Sequence, residues 1–337
     1  MQSVFKTMPL NDNRKIECLC LGGLPGSKDK IFVSTGQRIT GLSKKGKEFL
    51  TFNSNLTETI SSLFVEDVKM WTGGEFAYNL FENGKDIHFY ASSDRINALT
   101  VDNITDEGSM DCILGCEDRV VRVIKENECA IEVSVGGSVN SLLSMRGAGG
   151  AAAQDRGKEI IYGTENGRVG QLLVDSTSAR RGWTVTNTAQ QAGVNCMDSY
   201  DITKDDIPDI IIGRDDGKVQ VYSFDVSPEP VLQFEANVNE SVRSIEAGVL
   251  SSQDFDEVVL ATYSGKVVSF TNEPLHEADT EDSRGRSKAR TWRRRARPSR
   301  APTRRWWGRV STARRAACRS QWSAACASRG ATRRSPR

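Results

Sequence analysis

The chain has 337 residues, and 45 lysines and arginines nearly balance 44 acidic residues to give a formal net charge of +1. That balance averages two unlike segments: from Ser283 onward there are 18 arginines, one lysine and no acidic residue, so residues 1–282 carry a net charge of −18. No run approaches 18 apolar residues and no apolar segment of signal-peptide length opens the chain. Eight cysteines are too dilute for a disulfide scaffold, and two histidines are few for a histidine-based zinc or haem centre, so a soluble protein of a reducing, intracellular compartment is expected.

In chain order, short β-branched runs end in a small residue and resume as a second alternating run. Two weaker copies come first, KIFVSTGQRITGLS from Lys30 and VKMWTGGEFAYNLF from Val68. Four stronger ones follow, DCILGCEDRVVRVI from Asp111, EIIYGTENGRVGQLLV from Glu159, DIIIGRDDGKVQVYSF from Asp209 and EVVLATYSGKVVSFTN from Glu257. With Gly115, Gly163, Gly213 and Thr262 as equivalent turn positions, the intervals are 48, 50 and 49 residues. Each copy reads as two strands, and Asn166-Gly167 and Asp216-Gly217 suggest type I′ hairpin turns, with Ser264-Gly265 in the third turn. A further extended segment precedes each pair, such as VNSLLSM, VNCMDSYDI and VRSIEAGVL. Three or four strands per repeat with no helical pattern between them predict an all-β, WD40-like β-propeller, with a large β-sandwich as the alternative.

The glycine- and alanine-rich stretch from Ser144 to Lys158 reads as an excursion with little to pack. A boundary falls near residue 277, with a propeller over 1–277 and a disordered basic segment over 278–337, whose last 55 residues contain no Leu, Ile, Phe or Tyr. Its arginines, with Trp292, Trp306, Trp307 and Trp322, fit nonspecific contact with phosphate backbones or acidic membranes. A shifted coding frame or alternative terminus accounts for the same composition.

No constellation gives a catalytic or cofactor site. Asp201, Asp205, Asp206 and Asp209 lie within nine positions, but their spacing is imperfect and other repeats do not reproduce it. They read as solvent-facing turn carboxylates, with calcium as the alternative. LGGLPGSKDK from Leu21 lacks the order of a phosphate loop. Cys18 with Cys20, and Cys112 with Cys116, read as small buried hydrophobes, as do Cys129 and Cys196, while His88 reads as an isolated surface histidine. Three sequons, at Asn55, Asn103 and Asn239, read only as exposed polar positions.

Several strings carry a resemblance: RITGLSKKGKEFLTFNSNLTETI, CEDRVVRV, CMDSYDI, GRDDGKVQVYSFD, EPVLQF and TYSGKV. From about Phe5 to about Pro274 the chain resembles the amino-terminal propeller of the Bardet-Biedl syndrome 7 family, subunits of the BBSome coat. The resemblance implies a non-enzymatic scaffold without cofactors, supporting ciliary membrane-protein trafficking through protein contacts. Implied partners are other BBSome subunits, especially the sister Bardet-Biedl syndrome 2 protein, and indirectly an Arf-like small GTPase, ciliary membrane cargo and the intraflagellar transport machinery. No specific nucleic acid is expected, and the implied locations are cytoplasm, cilium or flagellum, basal body and, peripherally, the ciliary membrane. The family propeller is seven-bladed and begins about one blade before Met1, leaving material here for about six. Lys44, Lys45 and Lys47 as a basic patch, and Arg214, Asp215 and Asp216 at a repeat turn, are the loop residues expected to contact partners. Competing readings are nucleic-acid or acidic-membrane binding through the basic segment, and a propeller hydrolase with an inward-facing site.

Overall fold

A computed structural model describes residues 15–23, 30–43, 46–54, 57–105, 108–145, 158–175, 177–185, 192–224, 227–249, 255–271 and 309–312. The described strands form six four-stranded antiparallel sheets, each running in chain order from an inner to an outer strand. Blade one comprises β1 (Cys18–Gly22), β2 (Lys30–Thr35), β3 (Arg38–Leu42) and β4 (Glu48–Asn53); blade two has β5 (Ser62–Glu66), β6 (Lys69–Gly73), β7 (Ala77–Glu82) and β8 (Lys85–Ala91). Blade three has β9 (Ile96–Asp102), β10 (Asp111–Cys116), β11 (Val120–Lys125) and β12 (Glu128–Ser134). Blade four has β13 (Val139–Met145), β14 (Lys158–Thr164), β15 (Val169–Val174) and β16 (Ala179–Val185). Blade five has β17 (Val194–Tyr200), β18 (Asp209–Arg214), β19 (Lys218–Ser223) and β20 (Val231–Asn237). Blade six has β21 (Val242–Gly248), β22 (Glu257–Thr262), β23 (Val267–Thr271) and β24 (Arg309–Thr312). This is a six-bladed antiparallel propeller.

Burial follows position within a blade. Second and third strands are covered on both faces by neighbouring blades, so DCILGC and DIIIGR are buried along their whole length. Outer strands are covered on one face: β4 alternates between exposed and half-buried residues, β12 alternates with Ile131 buried, and β20 alternates after three exposed residues. Successive blades pack through their inner strands, β1 on β5, then β9, β13, β17 and β21. Among the described strands no comparable packing joins β21 back to β1.

Three blade junctions share one lock. A Cβ built on Gly115, Gly163 or Gly213 would lie 2.5 Å from a Cγ1 of Val139, Val194 or Val242, the first residue of the next blade's inner strand. Glycine is therefore required by close approach, and the stiff β-branched valine fills the space. The register places Ala261, not Thr262, at the equivalent point of blade six, because Ala261 pairs with Val267 as Gly213 pairs with Val219. The repeat intervals become 48, 50 and 48.

Each inner strand of blades three to six also carries a bulge, at Asn97, Asn140, Asn195 and Arg243, where the register against the second strand shifts. The extra residue re-aims its side chain. Asn97 donates to Ser138 Oγ at 3.1 Å, and Asn195 donates to Ser241 Oγ at 3.1 Å, each reaching the next blade.

The predicted type I′ turns are corrected. At 164–168, 214–218 and 262–266 only the glycine has positive φ (85°, 86° and 79°), and its N–H bonds the carbonyl three residues earlier. These are three-residue loops ending in a glycine in the left-handed region, a geometry that also twists the strands correctly. Two consecutive positive φ values occur instead at Asn83-Gly84, 51° and 75°, in the β7–β8 hairpin. The sequon at Asn103 is likewise not an exposed site, since Thr105 is 3% exposed and its Oγ donates to Asp111. The excursion at 146–157 and the sequon residue Asn55 lie outside the described residues, as does the basic segment apart from Arg309–Thr312.

Candidate interaction surfaces

The hairpins between second and third strands place their tips on one rim of the propeller by topology. Asp215 and Asp216 stand there, exposed. Asp215 accepts hydrogen bonds from Ser241 Oγ at 2.8 Å and Asn195 Nδ2 at 3.3 Å, and Asp216 accepts from the Lys218 amide at 3.1 Å. Lys47 is exposed, whereas Lys44 and Lys45 lie outside the described residues.

Arg214 is corrected from a surface contact to a buried group, 0% exposed. Its Nε donates to Gln220 Oε1 at 2.7 Å, and one terminal nitrogen donates to the carbonyls of Gly167 and Ala192 at 3.0 and 2.9 Å. Gly167 belongs to the hairpin of blade four, so the guanidinium ties blade five to its neighbour. Burial pulls its pKa below the ordinary arginine value. The reason it misleads in sequence is the register: the residue after the buried Gly213 still belongs to the strand, and the exposed tip starts one position later.

The aspartate cluster is divided between two tasks. Asp201 accepts the amides of Asp205 and Asp206 at 3.1 and 3.0 Å, and Asp205 accepts that of Ile207 at 2.9 Å. Asp209 is corrected from solvent-facing to buried, 1% exposed, and accepts the amides of Ile202 and Thr203, both at 2.9 Å. Blade three repeats this arrangement, with Asp111 accepting the amides of Ile104 and Thr105 at 2.9 and 2.7 Å. The shared spacing, Ile-Thr followed six positions later by Asp at the start of a second strand, was visible in NITDEGSMD and DITKDDIPD. These carboxylates anchor incoming loops, and no group of three or more potential metal ligands occurs among the described residues.

Desolvation raises the Asp209 pKa from 3.8 to about 6. The folded state therefore holds a proton between those values that the unfolded state releases. This group's contribution grows as pH falls through about 6 and is complete below 3.8. Glu240, held near 2 by hydrogen bonds led by that from Ser264, acts in the opposite sense only below its ordinary 4.5. Asp209→Asn is expected to flatten the dependence of the urea midpoint on pH between 7 and 5; identical slopes for both proteins would refute this.

Of the described cysteines, three behave as small buried hydrophobes, whereas Cys20, Cys129 and Cys196 are corrected to half-buried. Cys18, Cys112 and Cys116 are buried, and burial pushes the Cys18 and Cys20 thiols up to about 12 and raises that of Cys112 well above its ordinary value. Iodoacetamide at pH 8 is expected to leave Cys18 and Cys112 unmodified in the folded protein and to label them in urea, which peptide mapping reads directly. His88 is half-buried rather than a surface residue, with Nδ1 buried and without a protein partner.

The broadest candidate surface is the pair of faces at the two ends of the blade series. Ile113, Ile161 and Ile211 are 0% exposed against the following blade, while the equivalent Val259 of blade six is half-buried. Val121, Val169 and Val219 are likewise buried, whereas Val267 is half-buried. On blade one, Leu19 and Leu21 pair with Val33 and Ile31 on the face away from blade two, and are 39% and 54% exposed. Apolar positions that elsewhere form blade junctions are here accessible, the property that marks a docking surface.

Comparison with known proteins bears on these faces. The family described as "BBS7 beta-propeller" matches residues 1–272. The mouse BBSome complex member BBS7 is 38% identical over 275 residues, 81% of this chain and 38% of the mouse protein. The Caenorhabditis elegans BBSome complex member bbs-7 is 26% identical, again over 81% of this chain and 38% of that protein. The chain thus spans under two fifths of the length of these relatives. The zebrafish BBSome complex member BBS2 is 22% identical over 77% of the chain. Among solved structures, BBS1N in complex with ARL6DN superposes with a TM-score of 0.58 at 14% identity, covering 76% of this chain and 78% of that one, a likeness of fold.

Proposed function

Because the chain belongs to the BBS7 β-propeller family, we propose that it is a non-enzymatic scaffold subunit of the BBSome coat, supporting ciliary membrane-protein trafficking through protein contacts. The observation that carries this reading is the pair of accessible junction faces, Leu19 and Leu21 on blade one and Val259 and Val267 on blade six. Such faces give a scaffold apolar area to bury against another subunit, with hydrogen-bonding rims on either side. A BBS2-type propeller is the partner of choice, since it is related in sequence to this chain. An Arf-like GTPase, membrane cargo and transport machinery are then indirect partners, and the sites of action are the cytoplasm, basal body and cilium.

A tagged chain expressed in ciliated cells is expected to copurify BBSome subunits. Leu21→Asp with Val259→Asp should reduce that recovery at least tenfold while leaving the circular dichroism of the purified chain unchanged. Recovery of RNA alone, lost on deleting residues 283–337, would sink the scaffold reading and favour nucleic-acid binding.

A further inference from the structure

Two Asn-Gly pairs sit at hairpin tips in nearly the same local sequence, Glu82-Asn83-Gly84-Lys85 between β7 and β8 and Glu165-Asn166-Gly167-Arg168 between β14 and β15, and the fold treats them oppositely. Glycine has no Cβ to shield its backbone nitrogen, so in either pair that nitrogen has open access to the asparagine side chain. At Asn166 the reacting groups are engaged: Oδ1 accepts from Thr164 Oγ1 at 2.6 Å, Nδ2 donates to the Gly136 carbonyl at 3.0 Å, and the buried Gly167 donates its N–H to the Thr164 carbonyl at 3.0 Å. At the other tip both Asn83 and Gly84 are exposed, and among the described residues no hydrogen bond holds the Asn83 side chain or the Gly84 N–H. We propose that Asn83 is a site of spontaneous covalent modification, losing its side-chain amide to become aspartate or isoaspartate.

The step needs only water. The Gly84 nitrogen gives up its proton to solvent and bonds to Asn83 Cγ, the Cγ–Nδ2 bond breaks and ammonia departs, which leaves a succinimide ring. Water then opens the ring on one side or the other: breaking the new bond to Cγ gives aspartate, whereas breaking the original peptide bond routes the main chain through the side chain as isoaspartate. No electrons are exchanged. The folded tip, with φ of 51° at Asn83 and 75° at Gly84, must rotate out of the left-handed region for the attack, so the rate is set by local opening of an exposed turn. The product alters the contact between blades one and two. A Cβ built on Gly84 would lie 3.6 Å from Phe52 Cδ2, and Phe52 meets Phe81 edge to face with ring centroids 4.7 Å apart. Isoaspartate lengthens the backbone of this two-residue turn beside Phe52, disturbs the pairing of Glu82 with Lys85, and adds a negative charge next to Glu82.

The full-length protein, held at pH 8 and sampled by peptide mass spectrometry, tests this directly. Position 83 is expected to gain the mass of amide-to-carboxylate conversion at least tenfold faster than position 166. A methyltransferase specific for isoaspartyl carboxyl groups should label the peptide that contains residue 83, and Asn83→Gln should abolish that label, because closure of the larger glutamine ring is far slower. In urea the two sites should react at rates within about twofold, since their flanking sequences match and only the fold separates them. Equal rates at the two sites in the folded protein, faster reaction at 166, a tenfold difference that persists in urea, or a label that survives Asn83→Gln would overturn the proposal.

Discussion

Arg214→Ala is expected to lower the stability of the propeller by about 2–4 kcal/mol, the cost of leaving buried acceptors without the charged donor that holds them. The guanidinium holds the carbonyls of Gly167 and Ala192 and the side chain of Gln220, and Gln220 in turn donates to Glu235 at 2.7 Å. Removing it leaves two carbonyls at the junction of blades four and five without this donor, and creates a cavity beside Tyr222, whose hydroxyl also bonds Gln220. Lysine cannot replace it, because one ammonium does not span the separate directions of the Nε and terminal-nitrogen bonds. Asp216→Ala, two residues away on the exposed tip, should change stability by no more than about 0.5 kcal/mol. Urea midpoints of the three proteins decide the matter. A loss below about 1 kcal/mol for Arg214→Ala would mean that the guanidinium is not a junction staple.

The same residue shows where sequence pattern stops being informative. The fold itself was legible, because strands buried on both faces leave near-continuous β-branched runs, and DCILGC, EIIYGT and DIIIGR recur at nearly constant intervals. Those three runs, EVVLAT from Glu257 and the two weaker copies near Lys30 and Val68 make six repeats, one for each blade. One-residue register was not legible. Thr262 was aligned with three glycines because it precedes a similar tip, whereas the pairing with Val267 selects Ala261. The turn type was missed for a related reason: Asn-Gly and Asp-Gly satisfy a two-residue type I′ loop and the last two positions of a three-residue loop equally well, and only the strand pairing chooses.

Contacts between blades were the least legible. Asn97 and Asn195 sit second in strand-like segments that give no local sign that a bulge will turn them toward the next blade. Asp209 was grouped with Asp201, Asp205 and Asp206 by proximity in sequence, although it is buried under its loop, Asp201 and Asp205 accept amides of the turn, and Asp206 is exposed. The accessible junction faces are a property of the whole blade series. Val259 is no more polar or less β-branched than Ile211, and only the missing neighbour among the described blades distinguishes them.

The valine–glycine lock offers a second large effect and a direct measure of coupling between blades. Gly115→Ala would place a Cβ 2.5 Å from Val139 Cγ1 and 3.2 Å from Leu142 Cδ1, and is expected to cost about 1–3 kcal/mol through overpacking. Val139→Ala removes two buried methyl groups and should cost about 2–3 kcal/mol by transfer and cavity terms together. The double substitution places the new methyl in the space the valine vacates, so its loss should fall short of the sum by about 1 kcal/mol or more. Strict additivity would show that the two blades do not meet at this point. Blade six supplies the internal comparison: Ala261 already carries the Cβ that Gly115 lacks, and the described chain brings no following inner-strand valine against it. Ala261 is nonetheless buried, 5% exposed, so Ala261→Gly should cost about 1–2 kcal/mol, the backbone entropy that glycine loses in a strand together with the burial of one methyl group. The same position thus demands glycine where a following inner-strand valine packs on it and holds a buried alanine where none does, which makes residue 261 a probe of the packing on that face. If a partner's strand fills it as Val139 fills the space over Gly115, Ala261→Gly should tighten that complex while leaving the isolated chain slightly less stable.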